Sequence, residues 1–340
     1  MFYSDCLDVN ERGHLTIGGC DAVELAEMYG TPLYVMDETA IRRALRDYKA
    51  SIDENYGNGG MVTYASKACC FKELYRIVKQ EGCGADVVSG GEIYTALQAG
   101  FPAERLYFHG NNKSEAELRL ALEAGVGRIV ADNPAELERL SAAACELGRT
   151  AAVYLRITPG IDAHTHSFIR TGQIDSKFGF TLETGEALEG VRRALELPGL
   201  ELKGLHCHIG SQIFDEQPFI HAAEVMLTFM AQIRRETGVT LRELDLGGGF
   251  GIRYTQEDHP RAYGEYMRLV AGGVTPRAVL MAGYKDAAAH DALYMLDWYA
   301  YGLGTTPVQV STTYQCISDA WSLRIDRSWH DRITAVKSTD

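Results

Sequence analysis

A chain of 340 residues, 46% hydrophobic and 23% charged, has the composition of an ordinary globular protein and the length for one large core or two smaller ones. Its formal charge of −13 leaves no positive footprint to neutralise phosphates, which excludes nucleic acid and anionic membrane as partners. No apolar run reaches membrane-spanning length, residues 1–6 lack a signal-peptide pattern, and the eight cysteines form no CxxC pair, so the expectation is a cytoplasmic protein with reduced thiols.

The first thirty residues read as a preface: a short strand near His14–Ile17, then a helix over Asp21–Tyr29 with Asp21 as its N-cap and Gly30 as its stop. Thr31–Asp37 reads as a strand, and Glu38–Ile52 carries apolar residues at helical spacing. From Met61 a rhythm begins. Strands are expected at Met61–Ser66, Ala85–Ser89, Arg105–His109, Arg128–Ala131, Ala151–Ile157, Leu202–His208 and Glu243–Leu246. Six of the seven lead into helical patterns, the last of them Pro218–Glu236. Such alternation implies right-handed crossovers and a parallel sheet. A doubly wound sheet is the competing architecture, but even repeats with helices of similar length favour a closed (β/α)8 barrel. An eighth strand is then expected after Gly249, and Pro276–Tyr284 is the nearest run with the length and apolarity to form it. The polar connection 158–181 is long for a βα loop, which marks it as functional.

Several stretches carry chemistry. Lys67 follows the first barrel strand, where α/β proteins bind ligands; partly desolvated there, an amine can attack a carbonyl and form a Schiff base. Gly247, Gly248 and Gly249 close the seventh strand with backbone N–H groups that can approach an anion, in the region where barrels often hold phosphate. In Leu205-His-Cys-His-Ile-Gly-Ser-Gln212, His206 and His208 share one face of a strand. Two readings compete for them: a metal pair, with Asp86 or His109 completing the set, or a cofactor site in which His208 packs on an aromatic ring and Ser211 donates to a phosphate. Asp86 falls within the second strand, and Arg156 at the end of the fifth is either a cation facing the same rim or half of a structural ion pair.

Taken in order, Tyr64-Ala-Ser-Lys67-Ala68, Gly84-Ala-Asp-Val-Val-Ser-Gly-Gly-Glu92, Phe108-His-Gly-Asn-Asn-Lys113, Leu155-Arg-Ile-Thr-Pro-Gly160, the loop His164–Gly179, Leu205–Gln212 and Leu244–Gly251 resemble the fold-type III pyridoxal-phosphate decarboxylases. The long His164–Gly179 loop is most similar to that of the diaminopimelate decarboxylases. The resemblance implies an alanine-racemase-like (β/α)8 barrel over 31–285. The preface 1–30 would join a second, C-terminal β domain, for which 286–340 is a divergent remnant or replacement. It implies pyridoxal 5'-phosphate as cofactor, bound to Lys67 as a Schiff base, with His208 against the ring, Ser211 and Gly247–Gly249 on the phosphate, and Asp86 and Arg156 near the ring. The implied reaction is decarboxylation of meso-2,6-diaminopimelate to L-lysine by a homodimer, with a small amino acid as substrate and no metal.

The region after Gly249 departs from the pattern. The family's eighth strand ends in Glu-Pro-Gly-Arg, whereas Pro276–Tyr284 offers Met281 and Tyr284 at the Glu and Arg positions. A non-catalytic pyridoxal-phosphate-binding relative is therefore the alternative expectation, and a metal-dependent barrel hydrolase using His206 and His208 a further one.

Overall fold

The computed structural model describes residues 4–56, 60–161, 178–273, 308–314 and 321–325. A small antiparallel sheet of β1 (Leu7–Val9), β2 (Leu15–Ile17) and β3 (Cys20–Asp21) comes first. It is followed by α1 (Ala22–Tyr29), whose N-terminus is capped by the Asp21 carboxylate accepting from Val23 and Glu24 N–H. Thr31–Asp37 does not form the expected strand. Among the described residues it has no sheet partner, and Tyr34 in its middle is 98% exposed. Hydrophobicity alone cannot make a strand without a neighbour to pair with.

After α2 (Glu38–Tyr56) the βα rhythm appears as read. The elements are β4 (Val62–Ala65), α3 (Lys72–Gln80), β5 (Gly84–Val87), α4 (Gly90–Gln98), β6 (Leu106–Phe108), α5 (Glu115–Ala124), β7 (Arg128–Ala131) and α6 (Pro134–Glu146). They continue with β8 (Ala151–Thr158), the short β9 (Phe180–Thr181), α7 (Glu186–Glu196), β10 (Leu200–His206), α8 (Gln217–Thr237), β11 (Glu243–Asp245) and α9 (Tyr263–Gly273), ending with β12 (Val308–Tyr314) and β13 (Trp321–Ile325). Helix starts follow local chemistry. Ser89, Ser114 and Asn133 each accept from a backbone N–H three residues on, and Ser114 with Glu117 completes a capping box.

Parallel pairing runs β4–β5–β6–β7–β8–β10–β11–β12 and returns from β12 to β4, so eight parallel strands close the α/β barrel. The eighth place, between Glu243–Asp245 and Val62–Tyr64, is held by Val308–Tyr314. This corrects the assignment of that place to Pro276–Tyr284, which lies outside the described residues, as do 162–177 of the long loop. Closure demands a strand that satisfies both open edges at once, and adjacency in sequence does not decide which run does so.

Strand alternation sorts the side chains. Val62, Tyr64, Ala85, Val87, Leu106, Phe108, Ile129, Val153 and Leu205 enter the layer between sheet and helices. Tyr107, Val130 and Tyr154 fill the barrel interior, beside an Arg128–Glu243 pair with both nitrogen–oxygen contacts at 2.6 Å. Further along the same inward rows come the polar residues Asp86, His109, Arg156, His206 and Asp245. One end of the barrel is thus filled by Tyr107, Val130 and Tyr154 with one ion pair beside them, and the other end is lined by ionisable side chains.

Candidate functional site

At the C-terminal mouth of the strands lies a cavity of about 420 Å³ whose wall includes Lys67, Asp86, His109, Arg156, His206 and His208. Lys67 sits in a single 3₁₀ turn, Ser66–Ala68, that follows β4 directly, and small neighbours leave its side chain exposed to the cavity. Asp86, from the middle of β5, is 2% exposed. Neither of its carboxylate oxygens accepts a hydrogen bond among the described residues, and His109 Nε2 stands 3.4 Å from Oδ1, not aligned for donation. A buried carboxylate left unsatisfied is costly, so its place on a cavity wall marks a position where a polar ligand completes it.

The two strand-six histidines have different surroundings. His206 is buried, packs edge-on against His109 at 4.6 Å between ring centroids, and places Nδ1 3.0 Å from Asp245 Oδ2. Burial first, and the neighbouring His109 next, hold its pKa well below the ordinary imidazole value. His208 accepts a 3.4 Å hydrogen bond from Gly248 N–H at Nδ1, and burial followed by the charge of Arg156 pushes its pKa down to about 3. It is therefore a neutral, flat ring at physiological pH.

The metal reading of the sequence joined His206 to His208. Successive inward residues of a strand are about 7 Å apart along it, and the ligand atoms that gather within 4.8 Å of one another are those of His109, His206 and Asp245. His208 stands outside that group with its Nδ1 engaged by the glycine turn.

Arg156, on β8, lies with its guanidinium 4.1 Å from the centre of the Phe178 ring, and its Nε is 3.9 Å from Asp132. Burial raises the Asp132 carboxyl above the usual range. Arg156 thus lines the cavity and has an acidic neighbour.

Beside His208 the chain forms a cradle. Gly247 and Gly249 adopt φ of 69° and 107°, and a Cβ at either would collide with backbone oxygen, that of Cys207 or of Gly210. Only glycine fits there. Gly247 N–H donates to Asp245 Oδ1 at 2.8 Å, and Gly249 lies against Gly210 and Ser211, so Ser211 and the three glycines lie together next to His208. That cradle, the amine of Lys67 after β4 and an unsatisfied buried carboxylate suit a phosphorylated aromatic aldehyde.

Sequence reading gave Asp132, Asn111 and Phe178 no role and treated His109 only as a metal candidate; the structure brings them to the cavity or its first neighbours. The motif Phe108–Lys113 was the available signal for His109 and Asn111. Phe178 comes from the far end of the long loop, which the sequence could not fold back.

Residues 38–279 match the model of the pyridoxal-dependent decarboxylase family's pyridoxal-binding domain. The chain is 47% identical over 274 residues to the diaminopimelate decarboxylase of Bacillus methanolicus, covering 81% of this chain and 63% of that one. It is 49% identical over 269 residues to that of Halalkalibacterium halodurans, covering 79% and 61%. Among solved structures it resembles the diaminopimelate decarboxylase of M. jannaschii in complex with L-lysine, with a TM-score of 0.72 and 36% identity over 81% of this chain and 62% of that one. The Helicobacter pylori enzyme complexed with L-lysine gives a TM-score of 0.66 at 33% identity, over 75% and 63%. The chain thus spans a little under two thirds of the length of the relatives it matches.

Proposed function

Because the chain belongs to the pyridoxal-dependent decarboxylase family, we propose that it decarboxylates meso-2,6-diaminopimelate to L-lysine, using the cavity at the barrel mouth. The cofactor is pyridoxal phosphate. The observation that carries the reading is the placement of Lys67 across one cavity from His208 and beside Asp86, in a chain 47% identical to a diaminopimelate decarboxylase.

Lys67 holds the cofactor through its amine, and Ser211 with Gly247–Gly249 receives the phosphate. When bound, pyridoxal phosphate supplies an electron-withdrawing ring that accepts the electron pair left by a departing carboxylate. His208 packs against the ring as a neutral plane, adding contact area without a competing charge. Asp86 offers a carboxylate to polar groups in the cavity, and Arg156 a cation to an anionic one. At the mouth of the cavity the Lys67 amine would also be placed to carry a proton to a bound substrate.

The protein acts in the cytoplasm as a homodimer, with 1–30 and the residues beyond the barrel contributing to a second β domain. Among the described residues no helix is long and apolar enough to cross a membrane.

One observation favours a second reading. The strand in the eighth place, Val308-Gln-Val-Ser-Thr-Thr-Tyr314, contains no carboxylate to pair with a ring nitrogen. A non-catalytic cofactor-binding protein would share every other feature.

Borohydride reduction and peptide mass spectrometry should find the pyridoxyl group on Lys67 and none in Lys67→Ala. Carbon dioxide release from diaminopimelate, and not from ornithine, then separates enzyme from binder. A retained covalent adduct in Lys67→Ala would overturn the site assignment.

A further inference from the structure

We infer that Gln212 is a positioning residue that presets the anion cradle by fastening its two halves together; the inference rests on the cofactor site proposed above. The cradle is assembled from two loops, Gly210–Ser211 after β10 and Gly247–Gly249 after β11. Regular pairing between those strands ends at His206 opposite Asp245. It resumes only as an isolated parallel bridge between Ile213 and Phe250. Between these points the ladder is interrupted, and the two loops meet at the glycines, Gly247 against Cys207 and Gly249 against Gly210.

Gln212 closes the far side. Its Nε2 donates to the Ile252 carbonyl and its Oε1 accepts from Ile252 N–H, each at 2.8 Å. The side-chain amide thereby copies the two-way exchange of a strand neighbour. Ile213 N–H donates to Gly249 O at 2.9 Å and Gly251 N–H to Ile213 O at 2.8 Å, so four hydrogen bonds tie residues 212–213 to 249–252.

The backbone supports the same conclusion. Gln212 has φ of 58°, the one non-glycine residue with positive φ among those described. A long, unbranched side chain with no hydrogen bond to its own local backbone has no intrinsic reason to be there. Such a conformation persists where surrounding bonds over-determine it, and it tends to mark ligand clamps. Here those bonds are the clasp to Ile252, and the segment held is the one carrying Ser211. Only an amide of this length serves both Ile252 groups. Glutamate would set a carboxylate against a carbonyl oxygen, and asparagine is one methylene short.

A residue that only holds the fold would weaken every ligand and the barrel together. A residue that presets the cradle should affect phosphate and spare the aldehyde chemistry at Lys67. The test compares wild type with Gln212→Glu and Gln212→Gly, the latter relieving the backbone conformation while removing the clasp. Binding of pyridoxal phosphate and of pyridoxal is followed by absorbance and borohydride trapping, with a thermal melt as control. Both variants should bind pyridoxal phosphate about tenfold more weakly, the scale of losing a pair of hydrogen bonds, while pyridoxal binding stays within twofold. Gln212→Asn, which tolerates the backbone angle, should fall between. Folded variants with unchanged pyridoxal phosphate affinity would overturn the inference. So would equal losses for both ligands, and if Gln212→Glu and Gln212→Gly do not fold, Gln212→Asn decides by the same comparison. Failure of the wild type itself to bind pyridoxal phosphate would instead overturn the site reading beneath it.

Discussion

At the level of single residues, the site depends on pKa control by burial. His208 is held down to about 3, against 6.5 for an ordinary imidazole, with burial the largest cause. Between those values the unfolded chain binds a proton at His208 that the folded chain refuses, so stability falls as pH drops from about 6.5 toward 3. His206 is shifted in the same direction. Replacing His208 with Phe keeps a flat ring and removes the titration. We expect the melting temperature of His208→Phe to fall less steeply than wild type between pH 6.5 and 4, a comparison in which buried acids such as Asp132 cancel. Cofactor affinity should survive better in His208→Phe than in His208→Ala, and wild-type affinity should show no inflection from His208 near pH 6.5. An equal pH slope in the two proteins would mean that His208 is not held neutral by the fold.

Among the elements, the wall at Gly110 and Asn111 is held from behind. Lys113 is buried and its Nζ donates to Gly110 O, Val130 O and Glu136 Oε1 at 2.7, 2.6 and 2.7 Å. One ammonium thus ties the loop after β6 to β7 and to the first turn of α6. Desolvation lowers the Lys113 pKa and raises that of Glu136, yet three good acceptors keep the pair together. Lys113→Met should cost about 3–5 kcal/mol in chemical denaturation, because it strands a buried carboxylate and two carbonyls. Lys113→Met combined with Glu136→Leu should recover part of that loss. A single substitution costing under about 1 kcal/mol would show the pair to be dispensable.

For the whole molecule, stability depends on closing the ring. Val308–Tyr314 pairs with Glu243–Asp245 on one side and Val62–Tyr64 on the other. Removing it would expose two strand edges, the arrangement that invites association. A chain cut after residue 307 should therefore aggregate, or melt without a cooperative transition, and lose cofactor binding, as Lys67 directly follows one of the freed strands. A soluble, cooperatively melting product that binds pyridoxal phosphate would show closure to be unnecessary. Light scattering and calorimetry on the cut and full chains make the comparison.

The amino-acid sequence by itself determined what depends on neighbours along the chain. Alternation within the sixth strand put His206 and His208 on one face, caps such as Ser114 and Asn133 started helices, and the glycines after Asp245 announced a backbone that must come close to something. The motifs around Lys67 and His208 identified the chemistry for the same reason, since each is a short run with its own local geometry. Tertiary structure alone decided what depends on residues far apart. It withheld a strand from Thr31–Asp37, which found no partner, and gave the eighth place to a run 63 positions beyond Asp245. It grouped His206 with His109 and Asp245 instead of with His208. Barrel closure is a condition on all eight strands together, and no local stretch of sequence contains it.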